Sequence, residues 1–285
     1  MKPLSIKKRR FYLIAFALLF LIVIPLLILY ATGYRFTDTL NLIRTGGIFV
    51  SVPESGSEAY IDNFLVKQGG IFQRNIFIQN LKPGLHDVKV VKNGFQSWSK
   101  QLQVFPQTVT EAHSFLLPEE LTLVEIPVFM VERASIPGAT STAATSSAKL
   151  ASNIQNPEYK KILTLFATTT SPNTKRKLLV KNIEGTLHIS WTGSAANAPY
   201  YMCAGEICQK EILIKPGLKL ISFDFFPGRD DLLIINLADG IYLTEIDNRS
   251  PQNIQNIFKG KNLDFRVDGG VIYVKKDKNL YYASL

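Results

Sequence analysis

At 285 residues the chain is long enough for one or two compact units, taking roughly 150 residues per domain. With 46% apolar and 19% charged residues it is not a disordered chain, and two cysteines exclude a disulfide-dense scaffold. The formal net charge of +9 does not mark a nucleic-acid binder: Lys2, Lys7, Lys8, Arg9 and Arg10 crowd the first ten residues, and the other 27 Lys and Arg face 23 acids, an ordinary surface.

Residues Phe11 to Ala31 are 21 consecutive uncharged, mostly apolar side chains. As a helix they would extend about 31 Å, matching a hydrocarbon core of about 30 Å. A segment inside lipid must satisfy its own backbone, which predicts a helix over 11–31, with Pro25 tolerated inside it. Basic charge on the N-terminal side keeps residues 1–10 in the cytoplasm and sends the chain after Tyr34 outward. Tyr12, Tyr30 and Tyr34 lie near the two ends, where amphipathic rings favour the interface. The apolar run is longer than a signal-peptide core, and Tyr30-Ala31-Thr32-Gly33 is a poor cleavage site, so an uncleaved single-pass anchor in the cytoplasmic membrane is expected.

Residues 46–117 show β patterning. Ile48–Val52, Ala59–Asp62 and Ile76–Ile78 are short apolar runs. Pro83-Gly84 is a turn signal before the alternating run Leu85–Val91, and Asn93-Gly94 precedes Phe95–Trp98 and Lys100–Val104. Five or six short strands in about 70 residues predict a small sandwich. The segments "GGIFVSVPESGSEAYIDN" and "LKPGLHDVKVVKNGFQSW" resemble a PEGA domain at Pro53, Ala59, Tyr60, Ile61, Asp62, Leu81, Pro83, Gly84, His86, Val88, Gly94 and Phe95. The Pro53-to-Ala59 stretch is longer than that family's usual turn, and Asn63 stands where it commonly has glycine, though asparagine tolerates positive φ. The resemblance implies an extracytoplasmic β-sandwich without catalysis. His86 reads as a structural or surface histidine beside a turn, with a ligand role as the alternative. Phe95 and Trp98 read as core rings, with a sugar-stacking platform as the alternative.

Residues 118–133 read as a connecting strand region, with strand character over Thr122–Met130. Residues 134–152, "ASIPGATSTAATSSAKLAS", hold almost no large apolar groups and read as a linker. From 153 to 285 β signals return: Lys161–Thr168, Lys177–Val180, Leu187–Trp191, Leu220–Phe226, Leu232–Leu237, Ile241–Ile246, Leu263–Val267, Val271–Val274 and Leu280–Ala283. Pro227-Gly228-Arg229-Asp230-Asp231, Ala238-Asp239-Gly240 and Asp268-Gly269-Gly270 are the turns between them. The unit recurs about every 40 residues and is similar to TolB- or WD40-type propeller blades. Its 133 residues are few for a closed ring, leaving a short propeller, a partial one, or a curved antiparallel sheet stack. The expected fold is therefore mostly β: a transmembrane helix, a small PEGA-like sandwich, then a propeller-like or curved-sheet domain.

Cys203 and Cys208 have Gly205 between them. If Tyr200–Met202 and Gln209–Ile214 pair as a hairpin, the two sulfurs meet across its base, and export favours oxidation to a disulfide. Half of a metal site is the rival reading, but C-x4-C lacks further ligands, the nearest histidine being His188. No nucleophile elbow, phosphate loop, zincin motif or dinucleotide fingerprint is present. Ser146-x-x-Lys149 falls in the linker, and Ser5-x-x-Lys8 precedes the anchor. Asp224, Asp230 and Asp231 read as turn residues rather than a calcium site, and Asn248-Arg249-Ser250 is followed by Pro251. No catalytic, cofactor-binding or metal residue is assigned and no cofactor is expected. The sequence points to a non-catalytic binding or structural protein of the cell envelope, held in the lipid bilayer through residues 11–31, with a protein or cell-wall glycan partner and no nucleic acid. An exported hydrolase or glycan-processing enzyme, and an accessory subunit of an export or assembly complex, are the alternatives.

Overall fold

The computed structural model describes residues 5–36, 41–68, 75–130, 154–167, 174–204 and 207–283. Residues 134–152, read above as a linker, lie outside the described residues. Helix α1 (Ile6–Ala31) covers the apolar run and extends one turn further toward the N-terminus, with Pro25 inside it. It is long and apolar enough to cross a membrane, and none of its residues is buried. The backbone N–H and hydroxyl of Thr32 both donate to the carbonyl of Ile28 (2.9 and 2.8 Å), closing its last turn. Strands β1 (Tyr34–Phe36) and β2 (Leu42–Arg44) form a small hairpin directly after the helix.

The sandwich follows. Strands β3 (Gly46–Ser51), β4 (Glu58–Ile61), β5 (Phe64–Gln68), β6 (Asn75–Leu81), β7 (Gly84–Val91), β8 (Trp98–Val104) and β9 (Val109–His113) form two sheets, ordered β6-β3-β9 and β5-β4-β7-β8. All pairings are antiparallel except β3 with β9, which is parallel. Alternating residues meet in a shared core, with Ile48, Val50, Ile76 and Ala112 on one side and Ile61, Val88, Val90, Trp98, Leu102 and Val104 on the other. The Asp62-Asn63 turn has positive φ at both residues (50° and 69°), a geometry these short polar side chains tolerate. Gly46 has a different reason for being glycine: a Cβ there would lie 2.2 Å from the carbonyl oxygen of Phe105.

Beyond the sandwich come β10 (Val124–Ile126), the two-residue pair β11 (Phe129–Met130) with β12 (Ile154–Gln155), and helix α2 (Pro157–Leu165). The expected strand at Lys161–Thr168 is thus corrected to helix over Lys161–Leu165. The Asn156 side chain accepts from the N–H of Glu158 (3.0 Å), Pro157 opens the first turn, and Tyr159 and Ile162 fall on one face three residues apart. These local signals outweigh the apolar run.

Strands β13 (Thr174–Lys175), β14 (Leu178–Ile183) and β15 (Thr186–Trp191) pair in order, β16 (Cys203–Ala204) and β17 (Ile207–Cys208) form a minimal ladder, and β18 (Glu211–Ile214) returns to β15. The hairpin expected between 200–202 and 209–214 is not formed: Tyr200–Met202 is a 3-10 turn and β18 pairs elsewhere. Strands β19 (Leu220–Phe225), β20 (Leu232–Leu237), β21 (Gly240–Glu245) and β22 (Ile254–Lys259) make a second four-stranded sheet. The third is β10-β25-β24-β23, from β23 (Leu263–Asp268), β24 (Val271–Lys276) and β25 (Asn279–Ala283). Strand β10 therefore completes the last sheet, so residues Val124–Ile126 belong structurally with the end of the chain.

Strand β20 is buried along its whole length. Leu232 and Ile234 face the core shared with the third sheet and the sandwich, whereas Leu233, Ile235 and Leu237 face the core of the first sheet. The middle sheet thus has apolar partners on both faces, which explains its unbroken apolar run. Helix α2 closes the far side of the third sheet, where Tyr159 and Ile162 pack with Ile126 and Leu280. On the first sheet the outer residues Lys181, Glu211 and Leu213 are exposed.

Candidate functional site

The sandwich is joined to the middle sheet along two edge strands, β8 and β22, and side-chain amides bridge them. Asn253 accepts from the N–H of Ser99 (3.2 Å) and donates to its carbonyl (2.8 Å). Gln96 does the same to Asn256, accepting at 3.1 Å and donating at 3.0 Å. Gln255 accepts from the N–H of Leu117 (2.7 Å) and donates to the carbonyl of Phe115 (3.2 Å). Amides imitate peptide groups, so two exposed sheet edges are satisfied by each other.

A charged latch lies behind this seam. Lys100 points inward from β8 and its side chain is fully buried. Its ammonium donates to the Glu245 carboxylate, the carbonyl of Asp247 (3.0 Å) and the carbonyl of Arg249 (2.8 Å), one acceptor for each proton. The Glu245 carboxylate also accepts from the indole N–H of Trp98 (3.0 Å) and from the backbone and side-chain amides of Asn253 (3.0 and 2.7 Å). Burial pushes the Glu245 carboxyl above its ordinary range, opposed by Lys100 and Asn253.

Two arginine clips hold β9 and the residue after it from the same side. Arg229 chelates Asp231 through Nε (2.9 Å) and Nη2 (2.6 Å) and donates through Nη1 to the carbonyl of Ser114 (2.7 Å). Arg249 chelates Asp247 (2.9 and 2.5 Å) and donates to the carbonyl of Glu111 (2.8 Å). Such fork-to-carboxylate pairs fix orientation as well as charge. Burial raises the Asp231 carboxyl, but the hydrogen bonds and charge of Arg229, with His113, outweigh it and hold Asp231 below the usual range.

Above the Arg229 clip opens a cleft of about 570 Å³. Ser51, Pro53 and His113 form its sandwich wall. Arg176, Trp191 and Tyr200 come from the first sheet and its loops, and Gly228–Asp231 from the turn before β20. Tyr200 packs against His113 with centroids 4.4 Å apart and ring planes inclined by 43°, and its hydroxyl donates to Asp231 (3.3 Å). Burial raises the phenols of Tyr200 and Tyr201, so both stay protonated. Asp230 pairs with the exposed guanidinium of Arg176 at 2.8 Å. The cleft thus offers an aromatic wall, fixed charges of both signs and hydrogen-bonding groups on a rigid floor. Such a lining suits a polar ligand with a flat apolar face.

The residues singled out from sequence fall elsewhere or take structural parts. His86 has one ring nitrogen 2.7 Å from Asp62 Oδ2 and the other 2.8 Å from the carbonyl of Lys82, bracing a turn. Trp98 is buried in the sandwich core, so it forms no surface platform with Phe95. Cys203 and Cys208 lie directly opposite in β16 and β17 with their sulfurs bonded at 2.03 Å. Asp230 and Asp231 pair with arginines, and among the described residues no group of three His, Cys, Asp or Glu is placed to hold a metal. The latch had a sequence signal that the reading passed over: in Trp98-Ser-Lys-Gln-Leu-Gln-Val104 the alternation puts Lys100 on the face of Trp98, Leu102 and Val104. The cleft had none, because its walls come from stretches near 51, 113, 176–200 and 228–231, which no local pattern links. No protein-family model matches the chain, and no curated protein matches it significantly.

Proposed function

We propose that this chain is a non-catalytic binding protein of the cell envelope. In this reading α1 anchors it in the cytoplasmic membrane, with the N-terminus inside, and a PEGA-like sandwich with a propeller-like sheet stack faces outward. The cleft is its recognition site and takes a saccharide of the cell wall. One observation carries this: Trp191, Tyr200, Arg176 and Asp230 converge on one cleft whose floor is immobilised by the Arg229–Asp231 pair. Aromatic rings accept the apolar face of a sugar, while guanidinium, carboxylate and hydroxyl groups meet its rim. Pairing of both carboxylates to arginines supports binding rather than glycoside hydrolysis, since neither is then poised as the protonated acid of a two-carboxylate pair.

The chain holds two tryptophans, of which Trp98 is buried and Trp191 lines the cleft. Soluble cell-wall oligosaccharides titrated into the full chain in nanodiscs should change the tryptophan emission, and Trp191→Phe should abolish the response. The wild-type chain should pellet with isolated cell wall, and Trp191→Ala should not. An unchanged emission together with no pelleting would refute the saccharide reading.

A further inference from the structure

The loops at one end of the sandwich can be located from strand register alone. Gly46 opposes Leu81, Gly47 opposes Val109 and Gly84 opposes Val104, so the start of β3, the β6–β7 connection and the β8–β9 connection share an end. The Asp62-Asn63 turn joins them, because the N–H of Asp62 donates to the carbonyl of Asp87 (2.9 Å). This same end receives helix α1. The N–H of Thr45 donates to the carbonyl of Gly33 (2.9 Å), and the Gln107 side chain donates to the carbonyl of Thr32 (3.1 Å) while its backbone N–H donates to Thr45 (2.9 Å). The helix end and the sandwich end are thus tied by direct hydrogen bonds, not by a free tether.

Three large apolar side chains are exposed at that end. Phe64 is 76% exposed, Leu85 66% and Phe36, at the tip of β1, 63%. They project from turns and strand starts, where a chain facing water would carry polar groups. The opposite end of the sandwich, with the turns at Ser55-Gly56 and Asn93-Gly94, is polar. Around the helix end the Arg35 guanidinium lies 3.7 Å from the Tyr30 ring centre and that of Arg44 5.0 Å from Tyr34. Tyrosines favour the headgroup layer of a bilayer, and arginines beside it attract lipid phosphates.

We propose that this end of the sandwich is a membrane-contacting rim. Phe36, Phe64 and Leu85 enter the interfacial layer of the bilayer that α1 crosses, and Arg35 and Arg44 meet its phosphates. The chain is then held at two places, the helix and the rim, and the cleft keeps a fixed orientation above the membrane. This rests on the reading of α1 as a spanning helix.

The test uses the full chain in nanodiscs, with single cysteines introduced by Phe64→Cys, Leu85→Cys, Ser55→Cys or Phe20→Cys. Each carries an environment-sensitive fluorophore attached without reductant, because the two native sulfurs are bonded to each other. All four positions are exposed, so the fold tolerates the labels. Lipids bearing a quencher on the acyl chain near the headgroup should remove most of the emission at positions 64 and 85 and leave position 55 unaffected. Labels at 64 and 85 that behave like position 55, while position 20 is quenched by acyl-chain probes, would overturn the rim and leave the anchor standing. An unquenched label at position 20 would overturn the anchor, and the rim with it.

Discussion

Replacing Lys100 with methionine tests the latch between the sandwich and the middle sheet. Methionine fills similar space but removes the cation from a fully buried site, leaving the Glu245 carboxylate and the carbonyls of Asp247 and Arg249 without their shared donor. Removing one partner of a buried ion pair costs about 3–5 kcal/mol. Against a total stability of about 5–15 kcal/mol, that is a large fraction. At about 2–4 °C per kcal/mol for a unit of this size, the melting temperature should fall by roughly 6–20 °C. The Lys100→Met, Glu245→Gln double variant should lose at least about 1 kcal/mol less than the sum of the two single changes, because the residues share one network. The pH dependence has a defined sign. Burial already raises Glu245 in the folded state, and the lost cation opposed that rise. A carboxyl raised on folding gives a stability contribution that is complete below its unfolded value and lost as pH rises through the folded one. The deficit of Lys100→Met should therefore shrink as pH falls toward the ordinary glutamate range. Thermal and chemical unfolding of the full chain in detergent, across pH, measures all three quantities. A loss below about 1 kcal/mol, the scale of an exposed pair, with no pH dependence would refute the reasoning.

Asp231 should give the opposite pH behaviour. Held below its usual range by Arg229 despite burial, it contributes stability above the ordinary aspartate value that is lost as pH falls toward its depressed folded value, and Asp231→Asn should flatten the acid side of the stability profile. Gly46→Ala should destabilise by about 3 kcal/mol, since its Cβ meets a backbone carbonyl, whereas Gly94→Ala should cost about 1–2 kcal/mol from its positive φ alone, the space around it being open; denaturant midpoints compare the two. The unreduced chain should be two hydrogens lighter by mass spectrometry than the reduced chain, and Cys203→Ala with Cys208→Ala should cost roughly 2 kcal/mol for so short a loop. Two free thiols in the unreduced chain would contradict the bonded pair.

Much of the local structure was legible because its cause is local. The apolar run at 11–31 is long enough to match a hydrocarbon core only as a helix of about 31 Å, and the alternating runs at 85–91 and 100–104 can bury one face only as strands. Turns at 93–94 and 268–270 carry residues that accept positive φ, as observed at Gly94, Gly269 and Gly270. Less was legible where two local signals competed. The stretch after Tyr159 contains β-branched and apolar residues, yet Asn156 and Pro157 start a helix there. Strands β5, β9 and β22 are not legible because polar residues interrupt their apolar alternation: Lys67 and Gln68 in β5, Thr110 and Glu111 in β9, Gln255 and Asn256 in β22.

The amino-acid order alone settled the apolar helix and the mostly β class, since each follows from residues within a few positions of one another, whereas the bonding of Cys203 to Cys208 needed the β16–β17 ladder that sets them opposite. Tertiary structure decided which sheet each strand joined: Val124–Ile126 completes a sheet whose other strands begin at Leu263. It also decided that Lys100 meets Glu245 across 145 positions, and that His113, Trp191 and Arg229 share a cleft. The alternation around Trp98 shows that a lysine must be buried, because side-chain direction is a property of the strand. It does not name the carboxylate, because a partner distant along the chain is selected by how whole sheets pack, and that choice is made by the sum of many weak contacts rather than by any short motif.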